Sequence, residues 1–295
     1  MKAADFDYFN ATSVTEVCRM LSQHGAGARI IAGGQSLVPM MAMRLTKPAA
    51  LIDINNVAEL RGIEHSDRYL EIRAATRQCD IEVSSTVRTH CPILLKALHF
   101  VGHSQTRNRG TLGGSMVHAD PSAELPLVSV LLDAEVMVTD GSTTDTIPAT
   151  EFFLAPMVTA LMPEQCVVAV RFPLWHGRAG SGFHEVSPRV GDFAIASAAA
   201  QIELDDAGRC IRAAIAVGGT SATPLRIAPI EAALISKPLS DDAISAAATL
   251  AAETIDPDND LHASAEYRRR VACILVERAL TDAHREAAGG TGTAR

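Results

Sequence analysis

Aromatic residues are scarce: they make up 4% of the 295 residues, and there is one Trp. Binding single-stranded nucleic acid by stacking on aromatic platforms is therefore excluded. Positive charge is also short, with 26 Lys and Arg against 34 Asp and Glu and a net charge of −8. A general nucleic-acid binder needs a basic face, which this composition does not supply. No apolar run approaches the ~18 residues that would span a bilayer, and no transmembrane segment is expected. Met1–Asn10 carries acidic and aromatic residues and no apolar signal core, so a cytoplasmic location is expected. Closely spaced cysteines are missing too. Cys18, Cys79, Cys91, Cys166, Cys210 and Cys273 form no C-x-x-C pair, the spacing by which iron–sulfur and zinc sites declare themselves. They read as buried or free thiols in a reducing compartment, and the chain is expected to carry no metal of its own.

What is present is enough apolar material for a sizeable core: 47% hydrophobic against 20% charged residues. That excludes bulk disorder, and the length suggests two domains. Ser13-Val14-Thr15-Glu16 is a capping box opening a helix to about His24, stopped by Gly25 and Gly27. Arg29–Ala32 and Leu51–Ile54 read as short buried strands flanking a turn and a helix over Leu37–Leu45, a small β-α-β-like unit. Tyr69–Arg73 alternates as a half-buried strand does. A second unit follows. Its helices are expected over Pro92–Phe100 and Glu124–Leu132, with Arg107–Gly110 a polar loop. Asp140-Gly141 joins strands 135–139 and 144–148 as a hairpin, and Cys166–Phe172 is a continuous apolar strand. Gly-rich and polar Trp175–Ser181 marks a domain boundary. Beyond it come strands 195–204 and 210–217 around Asp205–Gly208, then helices 227–235, 240–254 and 265–287, the last with one buried face. Gly289–Arg295 reads as a disordered tail.

Two Gly-Gly doublets carry the chemistry: Ala32-Gly33-Gly34-Gln35-Ser36 and Thr111-Leu112-Gly113-Gly114-Ser115. Glycine lets the backbone take positive φ and approach a ligand closely. Successive N–H groups in such turns, with a helix N-terminus behind them, form an anion-binding concavity. Two such loops meeting could grip a pyrophosphate from both sides. Neither matches G-x-G-x-x-G or G-x-x-x-x-G-K-[ST], so Rossmann and P-loop folds lose support.

The wording around the doublets resembles a family. Ile31–Pro39, Arg107–Ser115, His118–Pro126, Pro188–Ala194 and Glu266–Arg269 are similar to segments of the FAD-binding medium subunit of molybdenum hydroxylases, the xanthine dehydrogenase and carbon monoxide dehydrogenase relatives. The resemblance covers nearly the whole chain. It implies an α+β fold: a two-subdomain FAD-binding domain (the PCMH or vanillyl-alcohol-oxidase type) over residues 1–176, divided near 57, then an antiparallel sheet with a helical bundle over 177–287, and a tail at 288–295. It implies noncovalent FAD here, with molybdopterin and the [2Fe–2S] clusters on partner subunits: a large molybdopterin subunit and a small [2Fe–2S] subunit, arranged as a dimer of heterotrimers that passes electrons to an external acceptor.

Residue by residue, the resemblance implies that Ile31, Ala32, Gly33, Gly34, Gln35 and Ser36 form the first pyrophosphate loop. Thr111, Leu112, Gly113, Gly114 and Ser115 form the second. Glu124 is placed near the adenosine half, Val101, Gly102 and Val167 near the flavin, and His184 where some relatives carry a Lys beside the ring. Gln35 tilts the substrate of the complex toward an N-heteroaromatic or other organic compound. Plainer readings stand beside these. Glu124 can be a favourable first-turn charge, His184 a solvated strand residue, His118 and Asp120 loop braces, Met40–Met43 adaptable packing, and Arg268–Arg270 a solvated helix face. The rival functions are an autonomous FAD oxidoreductase of the same superfamily, a carbon monoxide dehydrogenase medium subunit, and a colourless nucleotide-binding scaffold.

Overall fold

The computed structural model describes residues 2–289; positions 290–295 of the expected tail lie outside them. The chain begins with β1 (Asp7–Asn10), α1 (Val14–His24), β2 (Ala28–Ile31), α2 (Leu37–Ala42) and β3 (Ala50–Asp53). Half of the capping box forms: Ser13 Oγ accepts from the Glu16 N–H at 3.2 Å, while the Glu16 carboxylate reaches back to the Thr12 N–H at 2.9 Å rather than to that of Ser13. Both β1 and β2 pair parallel with the central β3. A parallel pair needs a crossover, and α2 with its flanking loops is that crossover, so the loop at 32–36 is placed at the carboxyl end of β2.

The second unit contains β4 (Ile63–His65), β5 (Tyr69–Arg73), α3 (Gln78–Val83), α4 (Ser85–His90), α5 (Pro92–Leu98), α6 (Ser104–Arg107), α7 (Leu112–His118) and α8 (Glu124–Leu131). It continues through β6 (Glu135–Thr139), β7 (Thr144–Pro148), α9 (Ala149–Phe152), β8 (Phe153–Ala155), β9 (Val158–Thr159) and β10 (Cys166–Pro173). Its main sheet has the order β4-β5-β10-β6-β7 and is antiparallel throughout. The Asp140-Gly141 hairpin forms. Asp140 accepts from the N–H groups of Ser142 and Thr143, each at 2.8 Å, and these bonds hold its carboxyl down at about 2.

The last unit is β11 (Arg178–Val186), β12 (Ala196–Leu204), β13 (Cys210–Gly218), β14 (Leu225–Arg226), α10 (Ala228–Leu234), α11 (Asp241–Thr254) and α12 (Ala265–Ala287). The sheet is antiparallel in sequence order. The long strand β11 begins within the stretch 175–181 read as a boundary. Its glycines are packing residues: a Cβ on Gly180 or Gly182 would stand 2.1 Å from the carbonyl oxygens of Ala283 or Ala279 on α12. Alternate residues of β11 face opposite ways. Gly180, Gly182 and His184 face α12, while Ser181 and Phe183 face the second unit.

Both faces of this sheet are therefore covered. Phe183, Ala199, Ala214 and Ala216 join the apolar cluster of α5 and α8, while Ala198, Ala200, Ile215 and Val217 join that of α10–α12. Lys96 of α5 locks the contact, its Nζ donating to the Ser181 carbonyl and to Glu286 of α12, each at 2.6 Å. Arg268 departs from the solvated face expected of it. It is 7% exposed, donates to the carbonyls of Ile195 and Gly219, and pairs with Asp260 at 2.5 Å. An i, i+3/i+4 helix face of small residues lets α12 lie close enough to the sheet for that reach.

Candidate functional site: a cleft between two glycine loops

Between β2 and α2 the chain turns with Gly34 at φ +71°, the left-handed region that glycine enters without cost. Gln35 folds back, its Nε2 donating to the Gly33 carbonyl at 3.2 Å. The four successive N–H groups of Gly33, Gly34, Gln35 and Ser36 donate to no acceptor among the described residues. Buried or half-buried N–H groups are rarely left so. Here they border a cleft, and a run of them without Cβ shielding is a cradle for an anion.

The second loop is built differently. The stretch read as a loop at 112–115 is the first turn of α7. Leu112 N–H donates to the Thr76 carbonyl, Gly113 N–H to the Ala74 carbonyl, and Ser115 N–H to Thr111 O. Thr111 caps the helix, its Oγ1 accepting from Gly114 N–H at 3.0 Å. Of this loop's amides only that of Thr111 has no acceptor among the described residues, so what it can offer the cleft is that one N–H and the hydroxyls of Thr111 and Ser115.

The loops touch. A Cβ on Gly33 would lie 2.1 Å from the Arg109 carbonyl oxygen. Arg77 ties them together: its guanidinium donates to the Arg109 carbonyl and to Asn55 Oδ1, and Asn55 Nδ2 donates to the Ala32 carbonyl at 2.9 Å. Burial and the neighbouring Arg109 and Arg61 depress the pKa of Arg77. Arg77 thus sets positive charge beside the first loop, although neither it nor Arg61 or Arg109 borders the cleft itself.

The cleft encloses about 780 Å³, within the roughly 300–1,000 Å³ usual for small-molecule sites. Ile31, Ala32, Gly33, Gly34, Gln35, Ser36, Val101, Gly102, Thr111, Gly113, Gly114, Ser115, Glu124 and Val167 all border it. Leu112 is fully buried behind the loop instead. His184 is not brought to the cleft: facing α12, it pairs through Nε2 with Asp282 Oδ2 at 2.8 Å. The resemblance placed a ring neighbour at this point of the strand, but the two-residue period turns this side chain outward.

Its neighbour Glu185 faces the second unit behind the cleft wall, without bordering the cleft. Its Oε2 is buried without a partner, and burial followed by the charge of Glu124 raises its pKa to about 8. Glu124 is 9% exposed, and burial lifts it to about 7. Asp192 and Phe193 also border the cleft, Phe193 at 68% exposure. Their loop is seated on Gly191 (φ +86°), where a Cβ would strike the His103 ring at 2.7 Å. The run 188–194 was visible only as part of the resemblance, since no periodicity marks a loop residue as a pocket wall.

One end of the cleft is an amide cradle and its body is largely apolar. That arrangement fits a long cofactor with a diphosphate and a flat ring. Residues 4–175 match the family model described as FAD binding domain in molybdopterin dehydrogenase, and residues 181–283 match the CO dehydrogenase flavoprotein C-terminal domain. The chain is 43% identical over 284 residues to the 6-hydroxypseudooxynicotine dehydrogenase complex subunit alpha of Paenarthrobacter nicotinovorans, covering 96% of each. It is 33% identical to the carbon monoxide dehydrogenase medium chain of Hydrogenophaga pseudoflava, covering 94% of this chain and 96% of that one. A solved chain of quinoline 2-oxidoreductase from Pseudomonas putida 86 superposes with a TM-score of 0.93 at 34% identity, covering 97% of this chain and 99% of that one. The chain belongs to the family of FAD-binding medium subunits of molybdenum hydroxylases, oxidoreductase components that work within multi-subunit complexes.

Proposed function

We propose that this chain holds FAD noncovalently in the cleft and carries electrons from the iron–sulfur clusters of a small partner subunit to an external acceptor. The observation that carries the reading is the run of four unpartnered N–H groups, Gly33 to Ser36, at one end of the cleft. They would donate to the diphosphate. The hydroxyls of Thr111 and Ser115 would add donors from the other side, and Arg77 would keep the two loops at a fixed separation. Val101, Gly102, Val167 and Phe193 offer apolar and backbone surface to a flat ring. When bound, a flavin supplies the capacity to take up and release two electrons and their protons. The chain's own task is to orient it and exclude water. Burial raises the Glu124 carboxyl to about 7, which leaves it about half protonated at neutral pH and so lessens the negative charge it brings to the cleft.

In this reading the molybdopterin subunit does the chemistry on the organic substrate, and no side chain here acts as its base. The assembly would be a dimer of heterotrimers in the cytoplasm. Among the described residues no helix is long and apolar enough to cross a membrane. An N-heteroaromatic substrate is favoured because the relative at 43% identity is named for 6-hydroxypseudooxynicotine. The purified chain should be yellow and contain one FAD per chain, released into the supernatant by acid. It should show no hydroxylase turnover until its partner chains are added. A colourless chain that takes up no FAD, or turnover by the metal-free chain alone, would refute the reading.

A further inference from the structure

Two thiols meet where the first two units join. Cys18 lies in α1 and Cys166 opens β10. Their Sγ atoms are 3.7 Å apart, both residues are buried, and 148 positions of sequence separate them. Both sit in the apolar cluster that packs α1 and the three-stranded sheet against β10. The contact has a direction. Cys18 Sγ is 3.5 Å from the Thr139 carbonyl and donates to it, which leaves the Cys166 thiol to donate to Cys18 Sγ. Once Cys18 gives up the proton it shares with Thr139, the bond from Cys166 stabilises its sulfur as the thiolate, so its pKa falls despite burial and the nearby charge of Asp140. Cys166, as the donor and buried, is held as the thiol. Cys166 also borders the cleft, with Cys18 buried directly behind it, so an oxidant in the cleft meets Cys166 first and reaches Cys18 past it. None of Cys79, Cys91, Cys210 and Cys273 has a thiol partner among the described residues.

We propose that Cys18 and Cys166 are an oxidisable dithiol whose disulfide locks together the two subdomains that wall the cofactor cleft. The oxidant is a hydroperoxide. The Cys18 thiolate attacks its O–O bond, becoming a sulfenic acid and releasing an alcohol, or water when the oxidant is hydrogen peroxide. Cys166 sulfur then displaces hydroxide from that sulfenic acid, and its proton leaves with the hydroxide as water. Two thiols and one hydroperoxide thus give one disulfide, one water and one alcohol; the sulfurs lose the two electrons that the O–O bond gains. Closure to a bond of ~2.05 Å asks each sulfur to move by less than about 1 Å. A disulfide of this kind in a reducing compartment is transient and redox-sensing rather than structural.

The consequence for the cofactor rests on the FAD reading; the cross-link does not. The FAD-loaded chain is treated with hydrogen peroxide in stoichiometric steps, alkylated, digested without reductant and mapped by mass spectrometry. The expected product is a Cys18–Cys166 linked peptide two hydrogens lighter than the sum of its parts. It should appear before any oxidation of the less buried Cys79 and Cys273, revert with dithiothreitol, and leave four of the six thiols titratable after denaturation. FAD release on dilution should slow several-fold. Cys166→Ala should abolish both effects, and Cys18→Ala serves if that variant does not fold. Oxidation of Cys79 or Cys273 with Cys18 and Cys166 untouched overturns the dithiol, as does sulfinic acid at Cys18 without a cross-link. A cross-link that leaves FAD release unchanged overturns the lock. If the chain never retains FAD, the function proposed above fails, and the peptide map still decides the dithiol.

Discussion

The two glycine loops are nearly the same in wording and opposite in construction. Gly33-Gly34-Gln35-Ser36 leaves its amides without protein acceptors, turns through a positive φ, and presses its first glycine against a carbonyl of the other loop. In Thr111–Ser115 the amides from Leu112 onward are consumed by α7, by Ala74 and Thr76, and by the Thr111 cap. Its Gly113 exists to let α7 approach Ala74, where a Cβ would stand 2.7 Å from the Ala74 Cβ and 2.8 Å from its carbonyl oxygen. A Gly-Gly doublet therefore marks a close backbone approach in both cases. The approaching partner is the protein in both, the Arg109 carbonyl for the first loop and Ala74 for the second, but only the first loop leaves a run of its amides free for a ligand. The surroundings differ in charge as well: Arg77, within reach of the charges of Arg61 and Arg109, ties the first loop, while the cleft-lining Glu124 and the half-buried Glu185 behind it feel each other's charge.

The largest effect should come from separating the loops. Gly33→Ala places a Cβ where the Arg109 backbone oxygen already stands, at 2.1 Å. Neither group is a movable side-chain end, so the loops must part and the amide cradle must tilt. Each charge-assisted N–H contact is worth roughly 1.5–3 kcal/mol, and losing two of them weakens FAD binding by more than about 100-fold. Flavin content after gel filtration and a Kd by fluorescence read this directly. Gly113→Ala is the contrasting variant. Overpacking against Ala74 should cost about 1–3 kcal/mol of stability, seen as a lower Tm, while the folded fraction keeps FAD with nearly normal affinity. Equal loss of FAD in the two variants would erase the distinction between the loops.

Gly34→Ala comes next. A non-glycine residue at φ +71° costs roughly 1–2 kcal/mol, and its Cβ meets Val38 Cγ2 at 3.1 Å. Val38 can give by a few tenths of an ångström, so the expected result is about a tenfold rise in the FAD Kd, well short of the Gly33 variant.

Glu185 and Glu124 give a pH signature. The Glu185 carboxyl titrates near 8 in the folded chain against its ordinary 4.5. Between those values the folded state holds a proton that the unfolded state has released, so this group's stabilisation falls as pH rises through the window. Glu124 acts with the same sign up to about 7. Glu185→Gln removes the ionisation, and its amide can still hydrogen-bond. Relative to the parent, the variant should gain on the order of 1–3 kcal/mol above pH 8 and little at pH 5. Chemical denaturation at the two pH values checks this. A parallel pH dependence in both proteins would place Glu185 in water.

Much of the architecture was legible because it rests on strong local signals. The parallel β2–β3 unit, the Asp140-Gly141 hairpin, the β12–β13 hairpin and the three C-terminal helices all follow from periodicity and turn chemistry. What escaped did so for physical reasons. The first turn of α7 contains two glycines, poor helix formers in isolation, and is helical because Thr111 caps it and Ala74 receives it. The glycines of β11 look like breakers until α12 is seen lying on them. Gln78–His90 is too polar and too short of apolar periodicity to declare α3 and α4. In the site, the first loop, Val101, Gly102, Glu124 and Val167 were placed at the cleft by the resemblance. His184 was carried to the ring by the resemblance, and nothing in an isolated strand says which of its faces meets the cleft; here that face packs on α12.

The smallest effect is expected at Gly114, and it is the most discriminating. A Cβ there would meet one atom, Thr111 Oγ1 at 2.8 Å, the end of a side chain that can rotate. Rotation would cost the cap bond to Gly114 N–H, about 1 kcal/mol. Against that, alanine for glycine within a helix gains roughly 1 kcal/mol. The two terms cancel, so Gly114→Ala should leave Tm within about 2 °C of the parent. Because Gly114 N–H already serves Thr111, the FAD Kd should change by less than about threefold. Thr111→Ala supplies the cross-check, since it frees that amide while removing a hydroxyl donor. It should lower stability by about 1 kcal/mol and weaken FAD more than Gly114→Ala does. If Gly114→Ala instead expels FAD as Gly33→Ala does, then the amides of α7 turn toward the diphosphate when it binds, and the two loops share one mode of grip.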